Sequence, residues 1–185
     1  HSSGAEDFQV ASKQIKDLIL TADIPQDIEQ VIISAFDELQ TPYVAVRSSA
    51  TSEDGAEHAW SGQLDSFLNT KKEDLINNVK RCFASLFTNR AISYREDKHF
   101  DHFSIALSIG VQKMIRSDKA CSGVMFSIDT ETGFKDAVLI NGAYGLGENV
   151  VQGSVNPDQF YVFKPTLNKG YKPIISKKLG SKKIM

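Results

Sequence analysis

An arginine followed by hydroxyl side chains is the part of this sequence best suited to chemistry. Arg47 ends a short β-branched run and precedes Ser48, Ser49 and a cluster of further hydroxyls, acids and a glycine. A guanidinium presents planar donors that match phosphate or carboxylate oxygens, and hydroxyls also suit phosphate. The pattern predicts an anion site at a strand end. A surface ion pair of Arg47 with Glu53 or Asp54, or a turn built by the hydroxyls, remains an alternative.

A second candidate segment, Ser61–Ser66, follows shortly after in the chain. Its glycine, Gly62, would let backbone N–H groups approach the same anion closely, with Gln63 and Ser66 beside it. The segment lacks the glycine and lysine pattern of a P-loop, so its nearness to Arg47 is what makes it a candidate.

Two further segments could contact a ligand. Gln112, Lys113, Met114 and Ile115 end a predicted strand. Backbone N–H and C=O groups there could contact the rim of a flat ring, while Met114 and Ile115 pack on its faces. The alternative is an ordinary strand end with Met114 in the core. The glycine-rich turn before Glu148 lacks the third glycine of a dinucleotide-binding fingerprint. It therefore favours a lid, or a loop beside a metal ion.

The histidines and cysteines form no pattern that indicates a metal or a nucleophile. His99 and His102 lie in a charged connection, which favours a solvated loop. Cys82 and Cys121 are far apart and lack zinc spacing, so we expect two buried, reduced cysteines in a cytoplasmic protein.

The elements that must position these residues follow from apolar periodicity. Helices are predicted at 8–20, 28–39, 71–87 and 89–98, and strands at 43–47, 66–69, 103–115, 122–128, 137–141 and 160–163. Early helices and later antiparallel-type strands predict an α+β fold. We expect a tag remnant at 1–4, a helical segment at 5–40 and a further region at 41–185. The abrupt end suggests a piece of a longer protein.

Composition excludes some classes of function. The chain has 185 residues, a net charge of −2, 41% hydrophobic and 24% charged residues. These shares are typical of a globular domain. Without a basic excess we expect no nucleic-acid partner. No stretch approaches the roughly 20 apolar residues that span a bilayer, so we expect no membrane partner.

Six ordered blocks together resemble the nucleotide-binding region of the phosphoenolpyruvate synthase family, the pyruvate, water dikinases. They are VAVRSSATSEDG, SGQLDSFLN, CFASLFTNRAISYRE, GVQKMIRSDKACSGVMFSIDTETGF, YGLGENVVQGSVNPDQFYVFKP and LGSKKIM. The similarity extends from about residue 41 to residue 185. Pyruvate, phosphate dikinases and rifampicin phosphotransferases share the general domain, but the run into SGQLDSF and the NPDQFYVFKP block are closer to the synthases.

The resemblance implies part of an ATP-grasp-type domain, with a mixed or antiparallel sheet and flanking helices. It also implies conversion of ATP, pyruvate and water into AMP, phosphoenolpyruvate and phosphate, with Mg²⁺. The phosphoryl group would pass through a phosphohistidine domain to pyruvate on a barrel domain. A related dikinase or antibiotic phosphotransferase, and a noncatalytic nucleotide-binding module, are the alternatives.

The resemblance also assigns roles to residues of this chain. Arg47 would contact the ATP phosphates. Gly62, Gln63 and Ser66 would form the loop over them, although threonine is common where Ser66 stands. The Gln112–Ile115 segment would read adenine, and Glu148 would lie near the phosphates. The family's upstream lysine-bearing subdomain, downstream metal and phosphate motifs and phosphocarrier histidine have no match, so we expect the chain alone to be inactive.

Overall fold

A computed structural model describes residues 3–51, 64–102 and 104–181 of the chain. These residues separate into two compact units, the first up to Met114 and the second from Ile115. The sequence analysis did not anticipate a boundary at this point. Each unit has its own antiparallel sheet.

The first unit contains the four helices that the periodicity predicted. In chain order its elements are α1 (Ser3–Thr21), α2 (Gln26–Glu38), β1 (Val44–Ala50), β2 (Ser66–Thr70), α3 (Leu75–Ser85), α4 (Asn89–Asp97) and β3 (Leu107–Lys113). A short 3-10 turn, Lys72–Asp74, precedes α3, so the predicted third helix is interrupted at its start. Pro25 lies immediately before α2, where its missing N–H costs nothing.

The sheet of the first unit has β1 in the centre, with β2 and β3 as antiparallel neighbours. Val44 and Val46 of β1 are fully buried and form a core with Phe36 of α2 and with Leu75 and Val79 of α3. Successive side chains of a strand point to opposite faces. The helices therefore cover the face of β1 that carries Val44 and Val46. The side chains of Ala45, Arg47 and Ser49 point to the other face.

The second unit is an antiparallel meander. Its elements are β4 (Cys121–Phe126), β5 (Ala137–Tyr144), α5 (Glu148–Val151), β6 (Asp158–Phe163) and β7 (Ile174–Lys178). The strands pair in chain order, β4-β5-β6-β7. Every strand pair of the described residues is antiparallel, so the α+β class is confirmed, with two separate sheets. No helix in the described ranges is long and apolar enough to cross a bilayer.

Gly123 is required where β4 and β5 approach each other closely. A Cβ atom at this position would lie 2.1 Å from the carbonyl oxygen of Asn141. We therefore predict that Gly123→Ala lowers the free energy of unfolding by about 3 kcal/mol, because the two backbones must separate. Urea unfolding followed by circular dichroism measures the change.

Gly142 offers the matched control for this substitution. It is the direct partner of Gly123 across the two strands, but a Cβ there would meet Ser122 O at 3.9 Å, an ordinary contact. Gly142→Ala should leave stability unchanged or raise it slightly, since alanine loses less backbone freedom than glycine on folding. Equal effects of the two substitutions would contradict the close approach as the cause.

Candidate functional site

Arg47 is exposed and lies in the middle of β1, the central strand of the first sheet. The prediction that it lies at a strand end is wrong, because pairing with β3 continues the strand to Ala50. Its direct partner on β2 is Ser66, and its direct partner on β3 is Gly110. Residues directly opposite across antiparallel strands point to the same face of the sheet. The fold therefore places Ser66, which is also exposed, beside Arg47, as the predicted site requires.

The same face has further polar residues in register with Arg47. Ser49 pairs with Ser108 beyond Arg47, and Gln112 pairs with Ala45 before it. Ser49, Ser108 and Gln112 are exposed. We call this surface the polar face. Its members are Arg47, Ser49, Ser66, Ser108, Gly110 and Gln112. It can offer one positive charge, three hydroxyls and an amide to a ligand that lies across the sheet.

Gly110 leaves space beside the Arg47 side chain. Among the described residues, a Cβ added to Gly110 would meet Arg47 O at 3.9 Å, an ordinary contact, so this neighbour does not require a glycine. Because cross-strand partners have Cβ atoms about 5 Å apart, a side chain at this position would occupy the surface next to the guanidinium. Glycine keeps that surface open.

The Arg47 guanidinium has no hydrogen bond or ion pair with any residue in the described ranges. Because Arg47 is exposed, its N–H groups can donate hydrogen bonds to an anion on the polar face. Glu53 and Asp54, the carboxylates of the alternative interpretation, lie outside the described residues, as do Gly62 and Gln63 of the predicted loop.

The backbone just before β2, which begins at Ser66, is held from the opposite side of the sheet. Ser48 follows Arg47 directly and so points away from the polar face, where its hydroxyl donates a hydrogen bond to Asp65 O at 3.1 Å. The Cys82 thiol, on α3, lies 3.8 Å from Val46 O and 3.7 Å from Asp65 O. Burial, and then the Asp65 charge, raise the pKa of Cys82 to about 11, against a smaller lowering by Arg81. The thiol is thus protonated at neutral pH and can donate to these oxygens.

The predicted ring-binding segment is split by the structure. Gln112 and Lys113 are the last residues of β3 and are exposed, but alternation turns Lys113 away from the polar face. The Met114 N–H donates to Tyr43 O at 3.3 Å, so this group extends the sheet. Ile115 begins the second unit and is 81% exposed.

Glu148 belongs to the second unit, at the start of α5, and is exposed. Its Oε1 accepts a hydrogen bond from Gln152 Nε2 at 2.7 Å. Before it, Gly145 has φ of 81°, a left-handed conformation that favours glycine. The helix α5 has only four residues, which agrees with the rejection of a dinucleotide-binding turn.

The histidine prediction needs a correction. His99 is exposed, but His102 belongs to a polar network with a buried arginine. Arg95 Nε donates to His102 Nδ1 at 2.8 Å, and His102 Nε2 lies 2.6 Å from Glu96 Oε1. An arginine N–H can only donate, so Nδ1 is the acceptor and Nε2 carries the proton toward Glu96. The ring orients Arg95 and is not part of a histidine pair for a metal.

The sequence analysis did not single out Ser108 and Gly110 as site residues, and it grouped Ser49 with Ser48. Alternation along the predicted strands was the signal that could have found them, because it separates residues of even and odd number onto different faces. Their pairing across β1 and β3 could not be known from either strand alone.

Comparison with known proteins decides the family. The family model described as "Pyruvate phosphate dikinase, AMP/ATP-binding domain" matches residues 2–185. The chain belongs to this family. The exposed Arg47 and its hydroxyl neighbours therefore lie in a domain of the AMP/ATP-binding family.

Relatives that this chain matches in sequence are named phosphoenolpyruvate synthases. The chain is 56% identical over 182 residues to that of Helicobacter pylori, covering 95% of this chain and 22% of the relative. It is 56% identical over 180 residues to that of Synechocystis, covering 91% of this chain and 22% of the relative. It is 50% identical over 179 residues to that of Escherichia coli, covering 94% of this chain and 23% of the relative. The chain thus spans about a fifth of the length of these relatives.

Proposed function

We propose that this chain is the ATP-binding part of an enzyme of the phosphoenolpyruvate synthase type. Such an enzyme converts ATP, pyruvate and water into AMP, phosphoenolpyruvate and phosphate through a phosphohistidine on another domain. The observation that supports this most is the exposed Arg47 at the centre of the polar face, in a chain of the AMP/ATP-binding domain family. The relatives that it matches over more than nine-tenths of its length are named phosphoenolpyruvate synthases.

The chemistry that this chain would supply is positioning and charge stabilisation. Phosphoryl transfer requires little covalent work from the protein and depends on groups that hold the phosphates and offset their charge. In this proposal Arg47 binds phosphate oxygens, Ser66 and the loop with Gly62 and Gln63 cover them, and Gln112 contacts adenine. Region 41–185, as an ATP-grasp-type arrangement, would provide this surface, and segment 5–40 would support it.

Magnesium is proposed to arrive with the nucleotide. In the described ranges no group of three or more His, Cys, Asp or Glu side chains could hold a metal ion. We assign none of the described residues as magnesium ligands. Mg²⁺ usually keeps several waters and binds through phosphates with one or two carboxylates, so a dedicated protein cage is not needed beside ATP.

Both cysteines are free, and Cys82 is buried as predicted. Cys121 is exposed, so the prediction that it is buried is wrong. An exposed free thiol is usual in a reducing compartment, which supports a cytoplasmic enzyme. The second candidate function is a noncatalytic nucleotide-binding module. The polar face is compatible with this function as well, but no further observation favours it over the enzyme.

An activity assay on the full-length protein tests the proposal. We expect AMP to form from ATP only when pyruvate is present, together with a phosphorylated protein when pyruvate is withheld. The isolated chain should bind ATP weakly in calorimetry and form no AMP. Binding of ATP by the full-length protein without AMP formation would favour the noncatalytic module, and AMP formation with another acceptor would favour a related phosphotransferase.

A further inference from the structure

Two serine hydroxyls extend the polar face beyond Arg47 on the side away from Gln112. Ser49 and Ser108 are direct partners on β1 and β3. Each lies two positions from the pair formed by Arg47 and Gly110. Residues two apart on a strand share a face and are separated by roughly 6–7 Å. The polar face therefore has three successive rows: Gln112, then Arg47 with Gly110, then the two serines.

The order of these rows gives the site a direction. The strand end at Gln112 is suited to the rim of a flat ring, and the Arg47 guanidinium is suited to phosphate. A nucleotide that lies along the strands with its base at Gln112 and its first phosphates at Arg47 must extend its remaining phosphates past Arg47. The next row that those phosphates reach is Ser49 and Ser108.

Both hydroxyls are available for this contact. Ser49 and Ser108 are exposed, and neither side chain has a hydrogen-bond partner among the residues that the structure describes. Ser48 differs in both respects, because it is half-buried and its hydroxyl donates to Asp65 O. Gly110 leaves the path between the rows free of a side chain on β3.

We infer that the Ser49 and Ser108 hydroxyls donate hydrogen bonds to the terminal phosphate of ATP and so help the site to distinguish ATP from AMP. The inference rests on the proposed function, because it needs an adenine nucleotide on the polar face. It adds the orientation of that nucleotide, with the base toward the end of β3 and the triphosphate toward its start. AMP is too short to reach the serine row.

Nucleotide affinities of single-serine variants test the inference. Calorimetry on the full-length protein would measure dissociation constants for ATP and AMP with the wild type, Ser49→Ala and Ser108→Ala. Loss of a hydrogen bond to a charged group should weaken ATP binding by about tenfold in each variant. AMP binding should not change. Both substitutions are at exposed positions, and circular dichroism would confirm that the variants are folded.

Ser48→Ala is the matched control, since it removes the same hydroxyl from the adjacent residue on the other face. It should leave the ratio of ATP to AMP affinity at the wild-type value. Equal weakening of ATP and AMP by Ser49→Ala or Ser108→Ala, or no weakening of ATP, would overturn the inference while leaving the proposed function in place. A wild-type protein that binds no adenine nucleotide would overturn the proposed function itself.

Discussion

Arg47→Ala in the full-length enzyme should lower kcat/KM for pyruvate-dependent AMP formation by about 10²–10³-fold, as expected for loss of one charge-stabilising contact. The reason is geometric as well as electrostatic. Arg47 is exposed at the centre of the sheet, with Ser66 on one side and the open surface of Gly110 on the other. Among the described residues no other cation is in register with Arg47 on the polar face, so none of these neighbours can replace its charge.

Two further variants show whether the effect is specific to Arg47. Arg47→Lys keeps the charge but loses the planar pair of donors, so it should recover only part of the activity. Arg90→Ala removes an exposed arginine from α4 and should leave kcat/KM unchanged. Near-wild-type turnover of Arg47→Ala would show that Arg47 does not contact the phosphates. A comparable loss of kcat/KM in Arg90→Ala would show a general effect of charge.

Arg95→Met should lower the free energy of unfolding by about 2–4 kcal/mol, because a buried acceptor loses its donor and packing is lost. Arg95 is fully buried, and its Nη1 donates to Leu86 O at 2.6 Å. Its Nε donates to His102, and its guanidinium lies 5.3 Å from the centre of the Phe87 ring. The side chain thus connects the end of α3, the helix α4 and the loop that leads to β3.

Urea unfolding of the 185-residue chain measures this effect, with Arg90→Met as the control on the same helix. The control replaces an exposed side chain and should change stability by less than about 0.5 kcal/mol. ATP affinity of folded Arg95→Met should match the wild type, because Arg95 points into the core and not onto the polar face. Equal stability of the two variants would show that the buried network contributes nothing to folding.

Local patterns in the sequence predicted most of the helices and strands, but not the short helix α5 or the last strand, β7. The spacing of apolar residues in α1, α2 and α4 predicted those helices to within a few residues, because an amphipathic helix needs only its own periodicity to be recognised. A strand was also predicted at 43–47, from a short β-branched run that ends at polar residues, but β1 continues through those polar residues to Ala50. The predicted strand at 103–115 was too long, and β3 covers only Leu107–Lys113.

Arg95 shows what such patterns miss. In the sequence it is one arginine in a charged helix, with nothing to distinguish it from Arg90. Its burial follows from packing against Phe87 and from an acceptor nine residues earlier, at Leu86. Those contacts exist only once α3 and α4 are folded together.

By itself the sequence determined the α+β class, the family, and Arg47 and Ser66 as candidates for binding phosphate, because composition, periodicity and ordered motifs are properties of the chain alone. Only the tertiary structure decided which side chains share a face with Arg47. Pairing of β1 with β3 joins residues about sixty positions apart, and a shift of one residue would have placed Ser48 on the polar face in place of Ser49. Strand register depends on contacts between distant segments, which no local pattern specifies.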